Sequence, residues 1–241
     1  ATFLIFSDYI RPPMRLAAMN DLKVIYVFAH DSIALGQDGP THQPVEQLLG
    51  LRSVPGLTVI RPADANETAL AWRVAMERRG PVAIVLTRQK IPVLDLEKYE
   101  VISAGLRFGA YVLTDSPQDT LPEVVLVASG SEVHLALSAQ QELQGEGVAA
   151  RVVSFPSWKI FQEQSREYRD EVFPPGVPII AVEAGVSLGW VPYVGEGVSA
   201  MIGVDRFGAS APGEIVMREY GLTVEEINRQ VHEILIRKAG T

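Results

Sequence analysis

The run Pro81–Thr87 constrains the fold most, because it is apolar almost without interruption. A strand is apolar on both faces when helices cover both sides of a parallel sheet. Further apolar runs alternate with helical patterns along the chain, and strand–helix–strand repetition implies parallel strands joined by right-handed crossovers. We therefore expect an α/β protein. The expected strands lie at residues 23–28, 58–60, 81–87, 124–128, 148–154 and 177–183.

Local signals mark where helices begin. Pro12 and Pro13 suit the first turn of a short helix over residues 12–19. Asp64 and Glu67 have the spacing of a capping box and predict a helix that runs to about residue 78. A hairpin is expected around residues 108–113. The remaining helices are expected at residues 44–52, 132–144, 157–172 and 223–237.

A change of pattern between residues 90 and 122 divides the chain. This stretch contains prolines, a polar segment and little periodicity, which is typical of a linker. We predict two successive α/β domains with mostly parallel sheets, over residues 1–92 and 113–241, and a linker over 93–112. The chain opens directly on the apolar segment Thr2–Phe6, which leads us to expect a larger protein cut inside a domain.

Composition excludes several classes of partner. A net charge of −8 argues against nucleic acid, which requires a basic face. No apolar run approaches the roughly 20 residues of a transmembrane helix, so no membrane partner is expected. The absence of cysteine excludes disulfides and thiolate chemistry and fits a cytoplasmic protein.

A polar, glycine-rich segment from His30 to Gln43 follows the first long apolar run. Such a loop at the carboxyl end of a buried strand is where α/β proteins place their chemistry. His30, Asp31, Asp38 and His42 are residue types that ligate zinc or manganese. They equally suit hydrogen bonding to a substrate, which we favour, and a purely structural loop remains open.

Two further features each admit two interpretations. Arg88 follows a strand and either binds a phosphate or carboxylate in bidentate fashion or forms a surface ion pair. Phe3, Phe6 and Tyr9 recur at a spacing of three. They either line a flat pocket or pack in the core, and the core is the usual role of such a stripe.

Long ordered motifs throughout the chain resemble those of transketolases. The resemblance covers essentially all 241 residues. Residues 1–92 resemble most of the family's pyrimidine-binding domain, and residues 113–241 resemble its C-terminal domain. The motifs are Thr2–Tyr9, His30–Glu46, Arg61–Asp64, Thr87–Gln89, Val127–Glu132, Val152–Trp158 and Phe207–Pro212.

The resemblance implies an activity and its cofactors. Transketolases move a two-carbon ketol unit between sugar phosphates in the pentose phosphate pathway, using thiamine diphosphate and a divalent metal. The metal, magnesium or calcium, is implied on a diphosphate-binding domain that this chain does not resemble, so no metal ligand is expected here. The family's active site lies between two subunits, which implies a homodimer.

Residue roles follow from the same resemblance. Phe6 is implied to stack on the aminopyrimidine ring of the cofactor, with Phe3 and Tyr9 lining its pocket. His42 is implied to contact the donor ketose near its C1 hydroxyl and the cofactor's reactive carbon, where an imidazole can move a proton. Asp38 is implied to accept a hydrogen bond from a substrate hydroxyl and so to select its configuration.

The remaining implied roles concern the phosphate and two departures from the family. His30 and Arg88 are implied to hold the terminal phosphate of the sugar. Gln37 stands where the family usually has glutamate, and we expect a modest effect. The glutamate that activates the aminopyrimidine lies upstream of Phe3 in the family, so this chain alone is expected to be inactive.

Two alternatives remain. The first is another thiamine diphosphate enzyme, such as a deoxyxylulose phosphate synthase or a 2-oxoacid dehydrogenase β chain. Asp38 together with His42, and the match of the second half, favour transketolase. The second alternative is a non-catalytic dimerisation or ligand-binding fragment, which the missing glutamate favours for the isolated chain.

Overall fold

The first sheet of the computed structural model contains four parallel strands in the order β1-β2-β4-β3. The structure describes residues 1–116, 121–190, 192 and 198–239. β3 and β4 are buried along their whole length, as the unbroken apolar run predicts. The strands are β1 (Thr2–Phe3), β2 (Ile25–Ala29), β3 (Thr58–Ile60) and β4 (Val82–Val85), and the helices between them are α1 (Ser7–Met19), α2 (Gln47–Arg52) and α3 (Ala65–Glu77).

The second sheet has five strands in the order β5-β7-β6-β8-β9, and only β5 at its edge runs antiparallel to its neighbour. These strands are β5 (Tyr111–Thr114), β6 (Val124–Ala128), β7 (Ala150–Ser154), β8 (Ile179–Val182) and β9 (Val198–Ile202). The associated helices are α4 (Ile102–Gly105), α5 (Glu132–Gly145), α6 (Trp158–Gln162), α7 (Arg166–Val172), α8 (Gly213–Glu219) and α9 (Val224–Ala239). The prediction of an α/β protein with mostly parallel sheets is confirmed.

The two sheets meet at the carboxyl ends of their strands. The backbone N–H of Arg61, just after β3, donates to the carbonyl of Pro156, just after β7, at 2.9 Å. The carbonyl of Arg61 accepts from the N–H of Gly130, just after β6, at 3.2 Å. The loops that carry chemistry in α/β proteins therefore face each other across the domain boundary.

The start of α1 differs from the prediction. The helix begins at Ser7, so Pro12 and Pro13 lie inside it. Both prolines are exposed. A proline has no backbone N–H, so the carbonyls of Asp8 and Tyr9 lose the helical hydrogen bonds that these positions would otherwise donate. The proline signal therefore indicated a helix but not its first residue.

The region before the second sheet also differs. The predicted hairpin around residues 108–113 is wrong, because β5 pairs with β7, about forty residues away, and not with an adjacent strand. The short helix α4 lies within the stretch 93–112 that we predicted as a linker. The last two residues of that stretch, 111 and 112, already belong to β5. The sequence patterns also missed β9 and α8.

The start of α3 matches the predicted signal with one shift. The carboxylate of Asp64 accepts from the N–H of Glu67 at 2.9 Å, as an N-cap should. The carboxylate of Glu67 reaches back to the N–H of Ala63 at 2.6 Å, one residue earlier than in a standard capping box.

No helix of the described chain is long and apolar enough to cross a membrane.

Candidate functional site

An open row of aromatic rings begins at the amino terminus. Phe3 ends β1, Phe6 ends a short 3₁₀ helix over Leu4–Phe6, and Tyr9 lies in the first turn of α1. The ring centroids of Phe3 and Phe6, and those of Phe6 and Tyr9, are each 6.1 Å apart. Tyr9 is 80% exposed and the two phenylalanines are half-buried, so the row is not part of the core.

Both histidines of the loop after β2 return to this row. The imidazole of His30 stacks on the ring of Phe3, with centroids 3.6 Å apart and planes 21° from parallel. The imidazole of His42 meets Phe6 edge-on at 5.7 Å. Residues separated by almost forty positions in the sequence therefore form one surface.

Arg88 and Asp38 act electrostatically on His30, so they lie near the same surface. Burial is the main cause that lowers the pKa of His30, and the charge of Arg88 lowers it further. Asp38 and Asp31 raise the pKa without reversing the shift. Arg88 and Asp38 are themselves exposed. A lowered pKa keeps the imidazole neutral at neutral pH, ready to donate or accept a hydrogen bond.

The second imidazole has one nitrogen engaged. The hydroxyl of Thr41 lies 3.0 Å from Nδ1 of His42. Among the described residues, Nε2 is the nitrogen of His42 that remains for a ligand. The neighbouring hydroxyl therefore orients the imidazole, as a partner on the other nitrogen commonly does.

The second domain holds the loop that carries these histidines. The buried amide of Gln43 donates to the carbonyls of Ile33, Gly36 and Ala209 at 2.8–3.1 Å. Gly36 has a φ of +88°, and a Cβ there would lie 3.0 Å from a backbone nitrogen of the second domain. Only glycine fits this close approach. The motif Phe207–Pro212, which had no role in the sequence argument, is therefore a support for the candidate site.

Asp31 does not serve as a ligand. Its side chain is buried, and its Oδ2 lies 2.9 Å from Nε and 2.7 Å from a terminal nitrogen of Arg61. The interpretation of the loop as a metal site that includes Asp31 is therefore wrong. Within the part of the chain that the structure describes, no group of three or more His, Cys, Asp or Glu residues is placed to hold a metal.

Arg61 is the centre of a buried ion network between the domains. It is fully buried and pairs with Glu132 as well as with Asp31. Burial alone would lower the pKa of Arg61, but Glu132, Asp31 and Glu183 raise it well above its ordinary value. Arg61 lies in the motif Arg61–Asp64, but the sequence alone assigned it no functional or structural role. A charged residue directly after the buried strand β3 is the signal that could have identified it.

Glu183 extends this network to a second arginine. Its two carboxylate oxygens accept from Arg52 at 2.6 and 2.7 Å, a bidentate pair. Burial alone would raise the pKa of Glu183, but Arg52 and then Arg61 lower it. Arg52 also lies over the ring of Trp158 at 3.8 Å. Arg61 after β3 and Arg52 at the end of α2 thus join the first domain to the second, and Asp31 is linked to the second domain through Arg61.

A cavity of 580 Å³ lies between the domains, behind this surface. Arg88 and Gln89 line it from the first domain, and Glu132 and Met217 line it from the second. Arg88 therefore lines the cavity and is also near enough to His30 for its charge to lower the pKa of that imidazole. The aromatic row does not line the cavity, so the candidate site itself is an open face that a further surface could cover.

Two models of known protein families match most of the chain. A family model described as "Transketolase, pyrimidine binding domain" matches residues 1–93. A second, described as "Transketolase-like TK C-terminal domain", matches residues 109–223. The chain thus consists of a pyrimidine-binding domain with a parallel sheet, followed by a second α/β domain whose sheet is mostly parallel.

The chain belongs to the transketolase family. It is 53% identical over 237 residues to a transketolase from Geobacillus stearothermophilus, a match that covers 97% of this chain and 35% of that protein. A transketolase from Pichia stipitis in complex with sedoheptulose-7-phosphate is 38% identical, with a TM-score of 0.87 and coverage of 99% and 34%. The chain therefore spans about a third of the length of the curated relatives it matches.

One similar structure is of a chain much shorter than these relatives, though still longer than this chain. A protein described as a split gene transketolase, inactive β4 tetramer, is 26% identical with a TM-score of 0.79. The match covers 96% of this chain and 74% of that one. The same two-domain arrangement therefore also occurs in a chain that is shorter than the curated relatives.

Proposed function

We propose that this chain supplies the pyrimidine-binding and sugar-binding part of a transketolase. The reaction is transfer of a two-carbon ketol unit from a ketose phosphate to an aldose phosphate. The observation that carries the proposal is the convergence of His30 and His42 on Phe3 and Phe6, with Arg88 near His30. Separate segments of the first domain thereby place a flat aromatic surface, two imidazoles and a free cation together.

The aromatic row fits thiamine diphosphate. We assign Phe6 to stack on the aminopyrimidine ring and Phe3 and Tyr9 to line its pocket, since aromatic faces suit a flat heteroaromatic ring. Nδ1 of His30 is buried and has no hydrogen-bond partner among the described residues. Buried polar atoms are nearly always satisfied, and this nitrogen therefore supports the proposal that a group from outside the described residues completes the surface.

The chemistry is divided between cofactor and protein. When bound, thiamine diphosphate supplies the electron sink that makes cleavage of a carbon–carbon bond beside a carbonyl possible. The diphosphate and its divalent metal, magnesium or calcium, belong to a diphosphate-binding module. His42 holds or moves a proton at Nε2 near the C1 hydroxyl of the donor. Asp38 accepts a hydrogen bond from a substrate hydroxyl and so selects its configuration.

His30 and Arg88 hold the terminal phosphate of the sugar. A guanidinium is the best match for phosphate geometry, and a neutral imidazole donates a further hydrogen bond. Arg88 is exposed and has no ion pair among the described side chains, so its charge is available to a ligand. Sugar phosphate substrates are supported by the relative that was solved with sedoheptulose-7-phosphate.

The assembly we propose is a cytoplasmic homodimer whose sites lie between subunits. It is supported by an exposed apolar stripe on α1, formed by Tyr9, Pro12, Pro13, Leu16 and Met19. Unpartnered apolar faces of this kind mark interfaces. Sedimentation at micromolar concentration should give a dimer. A monomer would contradict the proposal, and a tetramer would match the state described for the split gene transketolase.

The decisive test is an assay of ketol transfer from xylulose 5-phosphate to ribose 5-phosphate. The chain assembled with a diphosphate-binding module should be active, and the chain alone should be inactive. Arg88→Ala should raise KM for phosphorylated acceptors by about 10- to 100-fold, the value of a charged hydrogen bond or two, with kcat little changed. Equal losses with phosphorylated and unphosphorylated acceptors would contradict the role of Arg88. An inactive assembly would favour a non-catalytic module.

A further inference from the structure

We propose that Asp31 and Thr87 are positioning residues that set the spacing between His30 and Arg88. We further propose that Arg61 fixes this spacing relative to the second domain. The inference rests on the proposed function, because it takes His30 and Arg88 as the pair that binds the sugar phosphate. It assigns roles to Asp31 and Arg61, which are buried, and to Thr87, which is half-buried.

Such residues are needed where the backbone hydrogen bonds between β2 and β4 end. β2 and β4 are parallel neighbours, with Phe28 opposite Val85. The last backbone bond beyond this pair runs from the N–H of Leu86 to the carbonyl of Phe28 at 2.7 Å. His30 and Arg88 both lie past that bond, so the sheet no longer fixes their separation.

Beyond that point, a side-chain hydrogen bond connects the two segments. The hydroxyl of Thr87 donates to Oδ2 of Asp31 at 3.0 Å. Asp31 directly follows His30, and Thr87 directly precedes Arg88. The bond therefore joins the chain neighbours of the two proposed phosphate-binding residues, and shifting one would shift the other.

The backbone of His30 shows why a fixed neighbour is needed. His30 has a φ of +59°, in the left-handed region that a residue with a Cβ rarely occupies. Such a conformation persists only where surrounding contacts enforce it. The contacts here are the stack on Phe3, with centroids 3.6 Å apart, and the buried Asp31 that follows.

Arg61 links this arrangement to the second domain. Its Nε donates to Oδ2 of Asp31 at 2.9 Å, the same oxygen that accepts from Thr87. Another nitrogen of Arg61 donates to the carbonyl of Ser129 at 2.9 Å and pairs with Glu132. The second domain thereby contributes to the phosphate site without touching the phosphate.

Thr87→Val tests the bond, because valine has the same shape and lacks the hydroxyl. In the chain assembled with its diphosphate-binding module, we expect KM for a phosphorylated aldose to rise about tenfold with kcat retained. KM for an unphosphorylated aldose should not change, and Thr87→Ser should restore the wild-type value. Thr58→Val is the matched control, since Thr58 is a buried strand threonine whose hydroxyl has no partner among the described residues.

A second measurement does not depend on catalysis. NMR of the His30 imidazole, titrated with inorganic phosphate, should show saturable binding that Thr87→Val weakens about tenfold and Thr58→Val leaves unchanged. If Arg88→Ala does not alter discrimination between phosphorylated and unphosphorylated acceptors, the proposed function itself fails. If Arg88→Ala does alter it and Thr87→Val behaves like Thr58→Val, only the positioning role is overturned. Equal losses for both acceptors, or a Thr87→Val chain that does not fold, would also overturn it.

Discussion

Two arginines at the same edge of the first sheet have opposite surroundings. Arg61 follows β3, is fully buried, and pairs with carboxylates from both domains. Arg88 follows the neighbouring strand β4, is exposed, lowers the pKa of His30 by its charge, and has no ion pair among the described side chains. The local sequence patterns are similar, and the environments differ because the second domain covers one strand end and leaves the other open.

The contrast separates charges that hold the fold from charges that serve a ligand. A buried charge is tolerated only when opposite charges compensate it, and Arg61 has carboxylate partners in Asp31 and Glu132. An exposed, unpaired guanidinium costs little and remains available for phosphate. Removing Arg61 should therefore reduce stability, whereas changes on the open face should reduce function alone.

The largest expected effect is that of Arg61→Met. Loss of the guanidinium would leave Asp31, Glu132 and Glu183 buried with too little compensating charge, at a cost of about 3–5 kcal/mol in the free energy of unfolding. Urea denaturation measures this cost. The control is Arg73→Met, which removes an exposed pair with Glu77 and should cost less than about 0.5 kcal/mol. Similar values for the two variants would show that the network does not hold the domains.

His42→Ala tests the open side of the comparison. In the assembled protein, kcat for ketol transfer should fall about 10²- to 10⁴-fold, the usual contribution of a positioned general acid–base. The free energy of unfolding should remain within about 0.5 kcal/mol of wild type, because His42 is only half-buried. The control is His232→Ala in α9 of the second domain, where the imidazole pairs with Glu146 at 2.8 Å. A loss of stability with retained activity would reverse the assignment.

Two buried glutamates sharpen the comparison through pH. Burial raises the pKa of Glu67, which accepts from Tyr111 and Ser154 but has no cation partner in the described structure. A raised folded-state pKa means that stability falls as pH rises from the ordinary value of 4.5. The pKa of Glu183 is lowered by Arg52 and Arg61 despite burial, so its contribution is lost as pH falls below 4.5.

The measurement is the unfolding free energy of Glu67→Gln and Glu183→Gln relative to wild type across pH 3–7. The stability advantage of wild type over Glu67→Gln should shrink as pH rises above 4.5. Its advantage over Glu183→Gln should shrink as pH falls below 4.5. If both stability differences changed with pH in the same direction, ion pairing would not be what decides the pKa of these buried carboxylates.

The smallest effect is expected at Gln37. Its side chain is exposed, and the contact it makes is through its backbone carbonyl, which accepts from Ser210 at 2.5 Å. Gln37→Glu should therefore change kcat/KM by no more than about twofold and stability by no more than about 0.5 kcal/mol. A larger change in kcat/KM would show that the charge at this position acts on the site.

Sequence patterns predicted the regular elements well where local rules decide them. The strands at 58–60 and 124–128, and the capped start of α3, follow from apolar runs and from Asp64. Periodicity failed at β5, whose partner is distant in sequence, and at α1, where exposed prolines sit inside a helix that tertiary contacts hold. Register and partner choice depend on contacts that no local window contains.

For the candidate site, the sequence proposed residues but not how they are arranged. The motifs identified His30, Asp38, His42 and Arg88, while the shared oxygen of Asp31, the buried Arg61 and the support from Gln43 were not foreseen. The sequence left Asp31 open between a metal ligand, a substrate ligand and a structural residue, because a carboxylate beside a histidine looks the same in sequence whether it faces a ligand or a buried arginine. Burial decides between these possibilities.

By itself, the sequence determined the α/β class, the order of most elements and the family, since apolar periodicity and long motifs are local properties of the chain. Only the tertiary structure decided which charges are neutralised and which are left open. That choice depends on how the carboxyl ends of two sheets meet, and the energy of a charge depends on its partners and its solvent and not on its neighbours in sequence.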